Sequence, residues 1–178
     1  MRSMLAFARM IDAVNNRVGR AVAWLVLVAV LVSTGNAISR YALSVSSNAW
    51  LEIQWYLFSA IFLLAAGYTL LHGGHVRIDI LYGRYSPRTR AWIDILGGLF
   101  FLMPMAVLIL YLSWPVFVLS YSGHEMSGDA GGLVRWPVKL LMPVGFALLV
   151  LQGLSQIVKR VAFLRGEAPL DEGGPEPV

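Results

Sequence analysis

The sequence predicts an all-α integral membrane protein with four transmembrane helices, and composition and hydropathy both support this class. Of the 178 residues, 58% are apolar and 13% are charged, and the mean hydropathy is +0.68. An average soluble domain carries about 25% charged residues. Four windows are long and apolar enough to cross a hydrocarbon core, which requires about 20 helical residues. They cover residues 21–43, 53–71, 92–119 and 138–158.

The distribution of basic residues predicts how these spans are oriented. Eleven of the 14 Lys and Arg residues lie before the first window, between the second and third, or after the fourth. The remaining three, Arg40, Arg135 and Lys139, lie on the opposite side. Because cytoplasmic segments carry the excess of Lys and Arg, we predict cytoplasmic N and C termini. Basic segments beside anionic lipid also explain the net charge of +4, so no nucleic-acid partner is predicted.

The first window is predicted to be a retained span rather than a cleaved signal peptide, since apolar residues resume after the small residues STGNA. Ala29, Ser33 and Ala37 form a stripe of small residues that would let another helix approach closely. Two interpretations of the neighbouring polar residues remain. Asn36 and Arg40 lie at a subunit interface, or Asn36 bonds within this chain while Arg40 reaches the outer headgroups.

The two ends of the chain differ in character. Residues 1–20 are weakly amphipathic, which predicts a segment lying on the inner membrane surface. Residues 166–178 combine Gly, Pro and four acidic residues with little to bury, which predicts a disordered cytoplasmic tail. We therefore predict one four-helix membrane domain over residues 1–165.

The start of the second span carries an unusual carboxylate. Asn48 is the predicted N-cap, and Trp50 and Trp55 are aromatic residues typical of a membrane boundary. Glu52 follows, at a depth where an unpaired carboxylate is costly. It either caps the helix dipole or forms an ion pair with Arg40 or with a partner protein.

The stretch LHGGHVRIDILYGR at residues 71–84 suggests a metal site that its own glycines argue against. His72, His75 and Asp79 stand at i, i+3 and i+7, which would share one face of a continuous helix. The pair Gly73 and Gly74 predicts a helix stop between the first histidine and the other two residues. We therefore predict no metal site and no cofactor, and assign these residues a structural or subunit-interface role.

An interfacial amphipathic helix is predicted between the second and third spans. Ile78, Leu81, Tyr82 and Tyr85 recur at i, i+3, i+4 and i+7, with Arg77 on one flank. Simple alternation in this stretch leaves an extended crossing as the alternative.

The third span and the loop that follows it complete the pattern. Pro104 within the third span predicts a bend. The longest extracytoplasmic loop is rich in Gly and offers four candidate residues for docking an external partner, with an ordinary solvated loop as the alternative. These candidates are His124, Glu125, Asp129 and Arg135.

The chain carries none of the residue patterns expected of an enzyme. It lacks the G-x-x-x-x-G-K-[ST] phosphate loop. Its two acidic residues nearest to membrane depth, Glu52 and Asp94, are predicted at opposite faces and so cannot form an acid/base pair. With no Cys in the sequence, thiolate metal sites are excluded.

Several short motifs in this order resemble the small membrane subunit of tripartite ATP-independent periplasmic (TRAP) transporters, the DctQ-like subunit, over roughly residues 18 to 160. They are R-Y at 40–41, N-A-W-L-E at 48–52, G-G-H-V-R-I-D at 73–79, P-R-x-R-x-W-I-D at 87–94, and W-P-x-K-x-L-x-P-x-G-F at 136–146. The order and spacing of these motifs are more specific than any one of them.

The resemblance implies a multi-pass subunit of a bacterial inner membrane that carries no substrate itself. It would pack against the large TRAP membrane subunit and help to dock a periplasmic solute-binding protein for sodium-driven uptake of an organic acid. The end of the chain leads us to expect a polypeptide separate from the large subunit. Arg40, Glu52 and the 73–79 motif map directly onto the family pattern.

Two other classes of function compete with this interpretation. A stand-alone, homo-oligomeric carrier would normally place an ionisable residue inside a span, and the four predicted spans contain none at mid-depth. A membrane enzyme or haem anchor could use His72, but neither His75 nor His124 is predicted at a similar depth as a second axial ligand.

Overall fold

The computed structural model describes residues 2–45, 47–74 and 84–169, and in these ranges it is helical with no strands. A π-helical turn at Gly98–Leu102 joins the third helix to the fourth. Four helical segments, with α3 and α4 counted together, are long and apolar enough to cross a membrane, which confirms the predicted all-α class. The helices are α1 (Arg2–Ala42), α2 (Asn48–Leu71), α3 (Pro87–Gly97), α4 (Met103–Ser122) and α5 (Trp136–Leu164).

The last helix is the centre of the bundle, because α5 contacts α1, α2, α3 and α4. Since consecutive spans alternate in direction, the chain segments fall into two groups. We call the end that holds residues 2–20, 67–74, 84–95 and 152–169 the inner end. The outer end holds residues 40–52 and 120–139, including the loop that precedes α5. By the count of basic residues, the inner end is the one predicted to face the cytoplasm.

The first helix is longer than its apolar window and includes the amphipathic N-terminal segment. Ala8, Ile11, Asn15, Gly19 and Val22 are buried at spacings of three and four residues, which places them on one helix face. That face packs along α5 and α2 at the inner end. The segment therefore continues α1 along the bundle, and its predicted place on the inner membrane surface stays a prediction.

A glycine lets two helices of the bundle approach closely. A Cβ added at Gly145 of α5 would lie 2.5 Å from the carbonyl oxygen of Leu63 in α2, so the two backbones nearly touch. Between α2, α4 and α5, the buried side chains of Leu70, Ala106 and Leu149 form the apolar core. Small residues at helix contacts are how membrane bundles gain van der Waals packing.

The Gly pair ends α2 as predicted. Gly73 has a φ of +64°, its N–H donates to the carbonyl of Leu70, and the N–H of Gly74 donates to the carbonyl of Thr69 at 2.9 Å. These two bonds form a Schellman motif, in which the positive φ favours Gly because it has no Cβ. The helix stop between His72 and the residues after Gly74 is thus confirmed.

The third span contains a local irregularity just before Pro104. Residues Gly98–Leu102 form a π-helical turn, and Pro104 lies in the first turn of α4. A proline cannot donate to the carbonyl four residues earlier, and its ring crowds that carbonyl. A wider turn before it relieves the crowding. The local irregularity at this proline is thus a π turn in the segment that precedes it, and the bend predicted from the sequence stays a prediction.

Two predicted segments fall outside the described residues. The predicted interfacial helix lies mainly in residues 75–83, and most of the predicted acidic tail lies in residues 170–178. Both remain predictions.

Candidate assembly and docking sites

At the outer end, Glu52 anchors the loop that precedes α5. Glu52 is 3% exposed. One carboxylate oxygen accepts a hydrogen bond from the Ser127 hydroxyl, and the other accepts from the backbone N–H of Leu133 at 2.5 Å. Ser127 in turn accepts from the Arg135 guanidinium at 3.2 Å. We call Glu52, Ser127, Leu133 and Arg135 the outer cluster.

Three side chains of α2 form hydrogen bonds to this loop. Asn48 donates to the carbonyl of Ala130 at 3.0 Å, and the Tyr56 hydroxyl donates to the carbonyl of Val134 at 3.1 Å. With Glu52 between them, these residues stand at i, i+4 and i+8 and therefore project from one helix face. The loop is consequently fastened to α2 along more than two turns.

Two charged residues of the loop, Glu125 and Arg135, have defined partners. The Arg135 guanidinium lies 5.7 Å from the centre of the Trp55 ring, a cation–π arrangement. Glu125 forms an ion pair with Lys139 of α5. The Lys139 ammonium, helped by the charge of Arg135, lowers the pKa of Glu125 below its ordinary value. These two charges of the loop are thus held in fixed positions.

The other two predicted docking residues are exposed and project from the loop. His124 has a φ of +48°, and its backbone N–H and that of Glu125 bond back to Tyr121 and Ser120. His124 therefore occupies the left-handed position of a Schellman motif that ends α4, where Gly is usual. Asp129 lies at the tip of the loop, and its N–H donates to Ser127. All four docking candidates lie in one loop at the outer end.

Within this chain, Glu52 neither caps the helix dipole nor pairs with Arg40, and its ion pair with a partner protein stays a prediction. The helix begins at Asn48, with Ser47 as the N-cap residue, so Asn48 is inside the helix and Glu52 lies beyond its first turn. The predicted cap is wrong, because the Asn48 side chain reaches the loop instead. Arg40 is exposed in the last turn of α1. Glu52 instead accepts hydrogen bonds from Ser127 and Leu133 and interacts electrostatically with Arg135.

At the inner end, a second set of polar side chains joins α1 to α5. The Asp12 carboxylate accepts from Gln152 Nε2 at 2.8 Å and from the Ser155 hydroxyl at 2.8 Å, and it pairs with Lys159 Nζ at 3.0 Å. Gln152 Oε1 accepts from Asn15 Nδ2 at 2.9 Å. We call Asp12, Asn15, Gln152, Ser155 and Lys159 the inner cluster.

The inner cluster is buried where three helices meet. Gln152 is 0% and Asn15 is 1% exposed. Asn15 Oδ1 has no hydrogen-bond donor among the described residues and lies against Gly67 of α2, where an added Cβ would come within 2.1 Å of it. Burial without hydrogen bonds would make such groups costly in an apolar surrounding. The bonds to Gln152 and Asp12 therefore specify one register of α1 against α5.

Two further polar contacts join α5 to α2 and α3. Gln156 donates to the carbonyl of Leu70 near the end of α2 at 2.6 Å. Arg160, which is buried, pairs through Nε with Asp94 of α3 at 2.9 Å. The inner third of α5 is thereby bonded to α1, α2 and α3.

Sequence reasoning missed the inner cluster, although a periodic signal was present. Gln152, Ser155, Gln156 and Lys159 stand at i, i+3, i+4 and i+7, so they share one face of an otherwise apolar helix. Polar residues that share a face inside a predicted span are expected to point at protein rather than lipid. Asn48, Glu52 and Tyr56 carried the same kind of signal at the outer end.

The remaining candidates divide between described and undescribed residues. Asn36 is buried on α1. His72 caps α2, with Nδ1 3.0 Å from the carbonyl oxygen of Tyr68 and its ring against the Tyr68 ring. His75, Arg77 and Asp79 lie outside the described residues. Within residues 2–45, 47–74 and 84–169, no group of three His, Cys, Asp or Glu side chains could hold a metal ion.

Comparison with known proteins gives one family match. A family model described as "Tripartite ATP-independent periplasmic transporters, DctQ component" matches residues 29–163, which is well over half of the chain. No curated protein and no solved structure matches the sequence. The matched range includes the whole outer cluster and the α5 residues of the inner cluster, and it begins after Asp12 and Asn15.

Proposed function

Because this chain belongs to the DctQ family of TRAP transporter components, we propose that it serves as the fixed scaffold beside the large membrane subunit. In this role it would also help to dock the periplasmic solute-binding protein during sodium-driven uptake of an organic acid. The expected location is a bacterial inner membrane, with the outer end facing the periplasm.

The observation that carries this proposal is that polar bonds fasten the bundle at both ends. The inner cluster joins α1 to α5, and Arg160 joins α5 to α3. The outer cluster joins α2 to the loop before α5. A subunit held in this way suits a fixed scaffold, because relative movement of its helices would expose buried polar groups to lipid.

The outer loop is the part suited to meeting a soluble partner. Its backbone is fixed by α2, while the side chains of His124 and Asp129 are exposed. A preformed loop loses little conformational entropy on binding. Arg40, also exposed at the outer end, offers a further cation to a neighbouring protein.

The spans themselves support a scaffold over a carrier. Residues 21–39, 53–71, 95–122 and 140–158 contain no Asp, Glu, Lys or Arg. Secondary transporters place their substrate and coupling-ion sites near the bilayer midplane, and ionisable residues at that depth mark such pathways.

The proposal is tested by co-expression and reconstitution. The tagged chain should co-purify with the large membrane subunit, and liposomes holding both should take up substrate when sodium and the loaded binding protein are supplied. Omission of this chain should abolish uptake. Asp129→Arg, at the loop tip, should weaken docking of the binding protein while leaving co-purification intact.

Two outcomes would contradict the proposal. Sodium-driven uptake by this chain alone would make it a carrier in its own right. Uptake of equal rate by the large subunit without this chain would remove the scaffold role.

A further inference from the structure

The contact between α4 and α5 is closed toward the inner end and open toward the outer end. At the closed level, Ala106 is fully buried in the core with Leu149. Gly153 of α5 lies directly under Leu102 and Met103, where an added Cβ would come within 3.1 Å of Leu102. Further along α4, a groove of about 320 Å³ lies between the two helices.

The groove is apolar along its length and carries a charge at its outer mouth. Its α4 residues stand at i, i+3, i+4 and i+7, so it follows the helix axis for about 10 Å at 1.5 Å per residue. Lys139 lies in the first turn of α5 and therefore at the outer end, with Met142 one turn deeper. The lining residues are Ile109, Leu112, Ser113, Val116, Lys139 and Met142.

The mouth lies at the level expected for lipid headgroups. Tyr121, near the end of α4, and Trp136, at the start of α5, meet edge to face with their ring centres 5.5 Å apart. Trp114 lies one helical turn before Phe117 on α4 and is 55% exposed. Trp and Tyr collect at the membrane interface because their rings are amphipathic.

The charges at the mouth come as a pair of opposite sign. Lys139 and Glu125 form an ion pair in which both side chains stay partly exposed, at 29% and 40%. Each group can therefore accept a second partner of opposite charge. A headgroup that carries a phosphate next to an ammonium would match this pair, with its phosphate on Lys139 and its ammonium on Glu125.

We propose that this groove binds one acyl chain of a zwitterionic phospholipid, of the phosphatidylethanolamine class, whose headgroup contacts Lys139 and Glu125. The acyl chain lies along α4 from Val116 to Ile109, parallel to the helices, which is the direction of lipid tails in a bilayer. The amphiphile thus matches the groove in both polarity and direction. This site requires only that the protein is embedded in a membrane, so it stands apart from the scaffold proposal.

Native mass spectrometry of the full-length chain in detergent tests the proposal, with dioleoyl phosphatidylethanolamine and dioleoyl phosphatidylglycerol supplied in equal amounts. The wild type should retain one phosphatidylethanolamine. Ser113→Trp, which fills the groove, should remove it, whereas Val107→Trp on the exposed side of α4 is the matched control and should retain it. Lys139→Gln should lower retention about tenfold, the size expected for one charge-assisted hydrogen bond.

Glu125→Gln provides a second, milder variant. It replaces the carboxylate by a neutral amide and so removes the negative charge that pairs with the lipid ammonium. The preference for phosphatidylethanolamine over phosphatidylglycerol should therefore disappear while a phospholipid is still retained. Circular dichroism and size-exclusion profiles establish that each variant is folded.

Equal lipid retention by wild type and Ser113→Trp would overturn the proposal, as would wild type that prefers phosphatidylglycerol.

Discussion

The inner and outer clusters both join distant segments of the chain through polar bonds, but they use different kinds of partner. In the inner cluster, the side chains of two long helices bond directly to one another, as Asp12 does with Gln152 and Lys159. In the outer cluster, one helix carboxylate, Glu52, bonds to a hydroxyl and a backbone N–H of a loop. The inner cluster therefore sets the register of helices, whereas the outer cluster sets the shape of a loop. Variants in the first should affect stability, and variants in the second should affect recognition.

The largest effect is expected where the inner cluster meets a third helix. Gly67→Ala would place a methyl group within 2.1 Å of Asn15 Oδ1, and 3.3 Å from the carbonyl oxygen of Leu148. We expect overpacking to lower the free energy of unfolding by about 2 kcal/mol, measured by thermal unfolding in detergent. Gly35→Ala, whose added Cβ meets nothing within 4 Å, is the control and should be neutral or slightly stabilising. Equal stability of the two variants would show that the contact at Gly67 is unimportant.

Removal of Asp12, the shared acceptor of the inner cluster, should lower the free energy of unfolding slightly less than Gly67→Ala does. Asp12→Ala deletes the partner of Gln152, Ser155 and Lys159. Interhelical hydrogen bonds in membrane proteins average about 0.6 kcal/mol, so three lost bonds predict about 2 kcal/mol at most. Asn16→Ala, at a half-buried position of the same helix, should change the melting temperature little. A melting temperature for Asp12→Ala equal to that of the control would contradict the prediction.

The outer cluster should respond in its loop rather than in global stability. Glu52→Gln replaces a carboxylate that accepts two bonds by an amide with one oxygen acceptor. We expect faster hydrogen exchange at Ser127 and Leu133, with unchanged exchange in α5. Arg40 is not among the groups that hydrogen-bond to Glu52 or interact with its charge. A double-mutant cycle of Glu52→Gln with Arg40→Gln should therefore show no coupling free energy within the isolated chain. Strong coupling there would show that Arg40 interacts with Glu52 after all.

Acidic pH should loosen the same loop. The pKa of Glu125 is lowered in the folded protein by Lys139, so its ion pair stabilises the fold above the ordinary Glu pKa. That contribution is lost as the pH falls below the ordinary Glu pKa and through the lowered value. Hydrogen exchange of the loop should rise in this range for the wild type. For Glu125→Gln the rise should be absent, and an equal rise in this variant would contradict the prediction.

The smallest effect is a gain in stability at the end of α4. His124 adopts a left-handed conformation with a φ of +48°, which costs an L-residue about 1 kcal/mol. His124→Gly should recover part of that cost and raise the melting temperature slightly. Gly73 occupies the equivalent position at the end of α2, so Gly73→His is the reciprocal variant and should lower it. A decrease for His124→Gly would show that the imidazole makes a stabilising contact.

The sequence predicted the class of fold, the four spans and the stop at Gly73 because these depend on neighbouring residues. Hydropathy sums over a contiguous window, and a Schellman motif needs only a few residues of local chain. The family resemblance rested on ordered motifs and agrees with the matched range 29–163. The outer loop was also identified as a feature, from its composition and charges.

Only the tertiary structure decided which polar residues meet. Asn15 and Gln152 are separated by 137 positions and Glu52 and Leu133 by 81, so no local pattern links them. Periodicity could show that Gln152 and Lys159 share a face, but not that Asp12 lies opposite. The partner of a buried polar group is fixed by how helices pack, and packing depends on contacts such as Gly67 against Asn15 and Gly145 against Leu63. These contacts arise only when distant segments come together, so the sequence determined the elements and the fold determined their bonds.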